Sequence, residues 1–185
     1  MVPLIRAVWA CWAVFIIVWA ITSLQAKASV RRPFSSVGWY ARIAMLVLVF
    51  LLARFRVLGP LSRASFPYPV MVAGLTLTLL GVGFAIWARL ALGGNWGMPM
   101  TLREKPELVT SGPYALVRHP IYTGMICGML GTALAVGPSF FVIFVLACAY
   151  FVVSVRQEEL DMLEHFPDAY PAYRARTKAL IPFVY

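Results

Sequence analysis

The chain is poor in charge, and poorest in negative charge. Of its 185 residues only 12% are Asp, Glu, Lys or Arg, and seven are acidic, whereas soluble domains carry about 25% charged residues. This shortage excludes an ordinary water-soluble domain. A mean hydropathy of +0.82 excludes a disordered chain, which could not bury enough apolar surface. There are two histidines and three cysteines. Cys11, Cys127 and Cys148 each stand inside an apolar run, with no CxxC spacing and no nearby histidine pair, so they read as small core residues and neither disulfide nor metal is expected.

Apolar side chains are abundant: 62% of the residues are hydrophobic, enough for five or six membrane-crossing helices of about 20 residues each. Ala7 to Leu24 would be about 27 Å long as a helix, close to a hydrocarbon thickness of about 30 Å. With a single preceding cation, Arg6, and no clear small-residue cleavage site, it reads as a retained helix rather than a signal peptide. Ile43 to Ala53 is a weaker run, which reaches spanning length only by starting near Val37 and carrying Arg42 close to the interface; a full or an incomplete crossing fits it. Tyr68 to Trp87 carries Gly74, Gly81 and Gly83, small residues that let helices approach closely in lipid. Ile121 to Val136 and Ser139 to Val155 are separated only by Gly137 and Pro138, which predicts a tight helical hairpin. The expected fold class is an all-α, polytopic integral membrane helical bundle of about five transmembrane helices. It forms one domain over 1–185, with amino-terminal helices in 1–88 and a core in 89–185.

The hairpin sends two polar segments, Arg89 to Pro120 and the tail after Val155, out on one membrane face, and the tail holds five of the seven acidic residues. If all five runs cross, twelve of the sixteen Lys and Arg residues fall on that face and four on the other, which by the positive-inside rule makes it cytoplasmic. The net charge of +9 is then explained by topology and anionic headgroups, with no nucleic-acid partner expected.

Two constellations could carry chemistry. Gly112-Pro113-Tyr114-Ala115-Leu116-Val117-Arg118-His119-Pro120-Ile121-Tyr122-Thr123-Gly124 places a guanidinium, an imidazole and two phenols at the mouth of the fourth helix. Pro120 suits a helix's opening position, and Gly124 leaves room for a ligand or helix. The bland reading is an interfacial Arg-His pair within an aromatic belt. Glu158-Glu159, followed by Leu160, Leu163, Phe166, Tyr170 and Tyr173, forms the second. Adjacent carboxylates on a helix diverge by about 100°, so one can face the bundle while its neighbour meets solvent or a cation; the bland reading is a solvated interfacial helix.

Leu92-Gly93-Gly94-Asn95-Trp96, Glu107 to Tyr114, Arg118-His119-Pro120-Ile121-Tyr122-Thr123-Gly124, Glu158-Glu159 and Ile181-Pro182 together resemble the isoprenylcysteine carboxyl methyltransferase family in its bacterial branch. The same RHPxYxG and EE pair occurs in phospholipid N-methyltransferases. The resemblance implies an integral membrane methyltransferase using S-adenosylmethionine without a Rossmann domain, and this chain has no strand followed by GxGxxG. It implies cofactor contacts from Leu108, Val109, Tyr114, His119, Pro120, Ile121, Tyr122, Gly124 and Glu158, catalytic roles for Arg118 and Glu159, and acceptor contacts from Trp96 and Arg156. The partners implied are a lipophilic or lipid substrate and membrane lipids, in a bacterial inner membrane with the active site facing the cytoplasm. Pro106 stands where prenylcysteine enzymes usually have histidine, and Ser154 where eukaryotic members carry a substrate-contacting arginine, so the acceptor, carboxylate or thiol before amine, is less fixed than the cofactor. The rivals are a phospholipid amine N-methyltransferase, an NADPH-dependent sterol-type reductase and a non-catalytic scaffold. The reductases show Asn before the motif tyrosine and Glu after its glycine, where this chain has Ile121 and Met125.

Overall fold

In a bilayer every backbone N–H and C=O has to be satisfied within the protein, so apolar runs become helices. The computed structural model describes residues 2–24, 29–30, 59, 64–93, 102–103 and 108–182. Its helices are α1 (Val2–Ser23), α2 (Tyr68–Leu92), α3 (Pro113–Leu116), α4 (Pro120–Val136), α5 (Phe140–His165) and α6 (Ala169–Arg176). Ser29–Val30 (β1) and Leu102–Arg103 (β2) form a two-residue antiparallel pair, with Ser29 opposite Arg103. Helices α1, α2 and α5 are long and apolar enough to cross a membrane, and α4 is a shorter apolar helix of 17 residues. The chain is a multi-pass helical membrane bundle. The weaker run from Ile43 to Ala53 lies outside the described residues.

Contacts along the helices fix their directions. Leu4 and Val8 of α1 pack with Met71 near the start of α2, and Cys11 and Phe15 pack with Val82 and Ala85 further along. At the far end Arg89 donates to the Thr22 carbonyl at 2.7 Å and to the Gly93 carbonyl at 2.9 Å. Helices α1 and α2 therefore run parallel, and one buried guanidinium serves the carbonyl-rich ends of both. Leu24 and Ala64 accordingly lie at opposite ends of the bundle. Helix α4 runs antiparallel to α2, and Gly137, with φ 147, turns the chain into α5. The ends of α1, α2 and α5 thus share one membrane face with the start of α4. Helix α5 continues past the apolar run, which ends at Val155, as far as His165 and so carries Glu158 and Glu159 on a rigid element.

Helices α2 and α4 touch backbone to backbone. Small residues at Gly74, Thr78, Gly81 and Ala85 meet Gly124, Gly128, Gly131 and Ala135 in reverse order. A Cβ at Gly81 would lie 2.4 Å from the Gly128 nitrogen, one at Gly131 2.4 Å from the Thr78 nitrogen, and one at Gly124 2.6 Å from the Ala85 nitrogen. Gly83, grouped with Gly74 and Gly81 by composition, is off this face: a Cβ there would meet nothing within 4 Å. Polar links add direction, since Trp12 Nε1 donates to Thr132 Oγ1 at 2.9 Å, joining α1 to α4. Gly81→Ala should destabilise the folded protein by about 1–3 kcal/mol through overpacking, while Gly83→Ala should be neutral or slightly stabilising. Thermal unfolding of both variants in one detergent checks this contrast, and equal melting temperatures would refute the contact.

Candidate active site

The residues before α4 cannot hydrogen-bond as a helix, so their partners come from elsewhere in the chain. After α3 the backbone at Val117 is extended (φ −144, ψ 154), and His119 (φ −123, ψ 61) caps α4, whose first residue is Pro120. Proline at this position lacks an N–H that the helix could not have used. The extended stretch lies parallel to residues just past α6, with Val117 bridged to Lys178. The Arg118 N–H donates to the Lys178 carbonyl at 2.8 Å, and the His119 N–H donates to the Ala179 carbonyl at 3.0 Å. Thr123 Oγ1 donates to the Leu180 carbonyl at 2.7 Å. Buried backbone groups are thereby satisfied across a separation of about sixty residues.

Helix α5 delivers the two carboxylates to this stretch. Glu159 points inward: its Oε1 accepts from Arg118 Nε at 2.7 Å and from Arg118 Nη2 at 2.5 Å, and its Oε2 lies 3.4 Å from Arg174 Nε. Glu158 is the more open carboxylate, with its side chain 22% exposed against 10% for Glu159. It accepts a hydrogen bond from the Tyr122 hydroxyl. His119 stands between the two, with Nδ1 3.4 Å from Glu158 Oε2 and Nε2 3.6 Å from Glu159 Oε1. Its ring stacks on Tyr122, with centroids 5.9 Å apart, and Tyr122 stacks on Phe151 at 4.8 Å. Arg118 also donates through Nη1 to the carbonyls of Thr177 and Arg174.

Burial opposes charge on the His119 imidazole, but the carboxylates of Glu158 and Glu159 outweigh it and raise its pKa above the ordinary value. The phenols are pushed the other way, toward staying neutral. Burial raises Tyr114 and Tyr170, and brings Tyr173 up to about 12 despite the nearby cations of Arg118 and Arg176. Neutral phenols donate, and the Tyr173 hydroxyl donates to the Tyr114 carbonyl at 2.6 Å.

Arg118, His119, Pro120, Tyr122, Glu158 and Glu159 thus form one cluster, with Ile121 half-buried beside it. Tyr114 is buried on α3, and Leu108 and Val109 are half-buried just before the turn into that helix. Gly124 faces α2, so helix packing accounts for its missing side chain. Arg156 is exposed on α5, Ser154 is buried, and Trp96 lies outside the described residues. Sequence reasoning gave no role to Thr123, Arg174 or the stretch from Thr177 to Leu180, which hold the cluster largely through backbone carbonyls that leave no side-chain signature.

The family model for phospholipid methyltransferases matches residues 69–169 of this chain, more than half of its length and all six residues of the cluster. The chain belongs to the phospholipid methyltransferase family. Within reach of this family, it is 36% identical over 115 residues to the cobalt-zinc-cadmium resistance protein CzcN of Cupriavidus metallidurans, covering 58% of this chain and 49% of that protein. It is 32% identical over 120 residues to the nickel-cobalt-cadmium resistance protein NccN of Alcaligenes xylosoxydans xylosoxydans, covering 61% and 52%. To the protein-S-isoprenylcysteine O-methyltransferase of Xenopus laevis it is 31% identical over 118 residues, covering 61% and 41%. The chain therefore spans about half the length, or less, of these curated relatives. Among the described residues, no three His, Cys, Asp or Glu side chains gather in an arrangement that could hold a metal ion.

The raised pKa of His119 has a consequence for stability. A group whose pKa is higher folded than unfolded stabilises fully below its unfolded value, and that contribution is lost as pH rises through the folded value. The melting temperature of the parent should therefore exceed that of His119→Gln most below pH 6.5, the ordinary value. The gap should shrink as pH rises above it. A gap that grows with pH would show that the imidazole is held neutral.

Proposed function

We propose that this chain is a membrane methyltransferase that takes S-adenosylmethionine at the mouth of α4 and α5 and acts on a lipophilic acceptor reached from the bilayer. One observation carries the reading: Arg118-His119 and Glu158-Glu159, far apart in sequence, converge in a single buried cluster inside the family-matched segment. The residues present fit such a donor. His119 Nε2 is buried without a hydrogen-bond partner, Glu158 is a partly open carboxylate, and the stacked rings of Tyr122 and Phe151 form an aromatic wall beside them. Bound there, S-adenosylmethionine supplies an electrophilic methyl group on a positively charged sulfur.

In this reading Glu158 meets the donor's ammonium, the stacked Tyr122 and Phe151 pair forms one wall beside its cationic part, and Leu108, Val109, Tyr114, Pro120 and Ile121 complete the pocket. Arg118 and Glu159 act as a pair that orients the cluster. Arg156, exposed on α5, reaches acceptor headgroups at the interface. Glu158→Gln should weaken S-adenosylhomocysteine binding about ten- to a hundred-fold through loss of a charge-assisted contact. Titration calorimetry in detergent checks this, with His119→Ala as a second variant. Parent-like affinity in both variants, while they remain folded, would remove the cluster from the donor site.

An acceptor carboxylate is favoured, or else a thiol. A carboxylate is ionised at pH 7 and needs no base, whereas an alkylammonium has to lose a proton before it attacks. Glu159, the inward carboxylate, is already engaged by Arg118 and Arg174. The isoprenylcysteine O-methyltransferase relatives support this choice, while the description of the matching family supports an amine headgroup as the second reading. Membranes incubated with methyl-labelled S-adenosylmethionine, extracted and treated with mild alkali, should release labelled methanol from an ester. Label that resists alkali and migrates with an amine-headgroup lipid would favour the second reading.

The twelve-to-four charge split supports a cytoplasmic site. A cysteine introduced at Arg174, in a background lacking Cys11, Cys127 and Cys148, should resist impermeant thiol reagents in intact cells and react after lysis. Labelling from outside would reverse the orientation.

A further inference from the structure

The segment from Tyr173 to Leu180 lies beyond residue 169, where the family match ends, yet it makes more backbone contact with the Arg118-His119 stretch than any part of the matched core. Five interactions converge on it: Arg118 N–H to Lys178, His119 N–H to Ala179, Thr123 Oγ1 to Leu180, Arg118 Nη1 to Thr177, and the Tyr173 hydroxyl to Tyr114. It is also anchored by burial. Thr177, Ala179 and Leu180 are buried, and the last two pack on Val155 of α5 with Tyr122 and Ile126 of α4. Lys178, between them, faces outward. Thr177, Lys178 and Ala179 thus alternate as an extended strand does, and Leu180 after them is buried as well.

We propose that this strap is a positioning element of the donor site. It holds Arg118 and His119 extended, so that the imidazole lies between the two carboxylates, and Thr123 and Tyr173 are the side chains that latch it. The physical reason is local. The His119 ring direction follows from its backbone, and that backbone has no helical partner on its N–H side; the Ala179 carbonyl supplies one. The inference rests on the reading of the cluster as a donor site, but the strap's hold on His119 exists without any ligand.

Titratable or charged side chains face His119 from three sides. Glu158 and Glu159 come from α5, Tyr122 from α4, and Arg118, with Arg174 of α6, acts through Glu159. The test uses the full chain, with histidine isotopically labelled and His165→Gln to leave one signal. Thr123→Val removes the latch while keeping the side-chain shape, Thr123→Ser restores the hydroxyl, and a chain ending at Arg176 removes the half of the strap from Thr177 onward. In Thr123→Val the His119 titration midpoint should fall toward its ordinary value, and S-adenosylhomocysteine affinity should weaken about five- to tenfold, the loss expected of one buried hydrogen bond. Thr123→Ser should restore both.

A parent-like His119 midpoint and affinity in folded Thr123→Val would overturn the proposal. Should the shortened chain fail to fold, Thr123→Val against Thr123→Ser decides. If the parent itself binds no S-adenosylhomocysteine, the donor reading fails, while the titration of His119 still decides whether the strap positions it.

Discussion

The structure depends on the backbone-to-backbone contact between α2 and α4. Lipid gives helices little hydrophobic reason to associate, because a neighbouring helix is no more apolar than an acyl chain, and close packing has to supply the attraction. Here small residues recur at the same spacing on both helices, and no side chain larger than threonine stands along the line from Gly74 to Ala85. This fixes the depth of α4 in the bundle, and with it the level at which Pro120 begins. Helix α5 has no such freedom of its own, since Gly137 turns it directly back along α4. The level of Glu158 and Glu159 is thus set by the glycines along α4 and by Gly137 at its far end.

Charge at that level is held by partners that the fold already provides. Helix ends leave carbonyls unsatisfied, and two buried guanidiniums use them. Arg89 bonds to Thr22 and Gly93, and Arg118 bonds to Arg174 and Thr177 as well as to Glu159. Isolated charge would cost several kcal/mol in a low-dielectric setting, so these carbonyls and carboxylates are conditions for placing cations there at all. The same logic makes His119 a buried group whose charge is supported from two sides.

Much of this was legible in order of residues. Apolar runs gave α1, α2 and α4 to within about five positions at each end and the start of α5 to within one, and Gly137-Pro138 gave the hairpin, because these features depend on neighbours in sequence. The full reach of α5 was not, since its polar end past Val155 is held by Arg118 and Arg174 rather than by lipid. Gly83 shows the limit of reading composition without a face: it sits two residues from Gly81 yet points away from α4. The parallel course of α1 and α2 was open as well, being fixed by contacts such as Phe15 with Val82 and Ala85. The motif residues were visible as candidates, but their mutual geometry was not.

The boundary between matched core and strap follows from what a sequence can record. Glu158, Glu159, Arg118, His119 and Tyr122 act through particular side-chain atoms, so each substitution there changes a partner. Lys178, Ala179 and Leu180 act through carbonyl oxygens that nearly every residue carries, and only the burial of Ala179 and Leu180 constrains what can stand at those positions. A structural element built this way can hold a buried histidine without itself contributing a side chain to the cluster. For the proposed methyl transfer such an element would be useful, because a good leaving group asks the protein mainly for alignment and exclusion of water. Alignment is a property of backbones as much as of side chains, and at this site it is the backbone beyond residue 169 that supports His119.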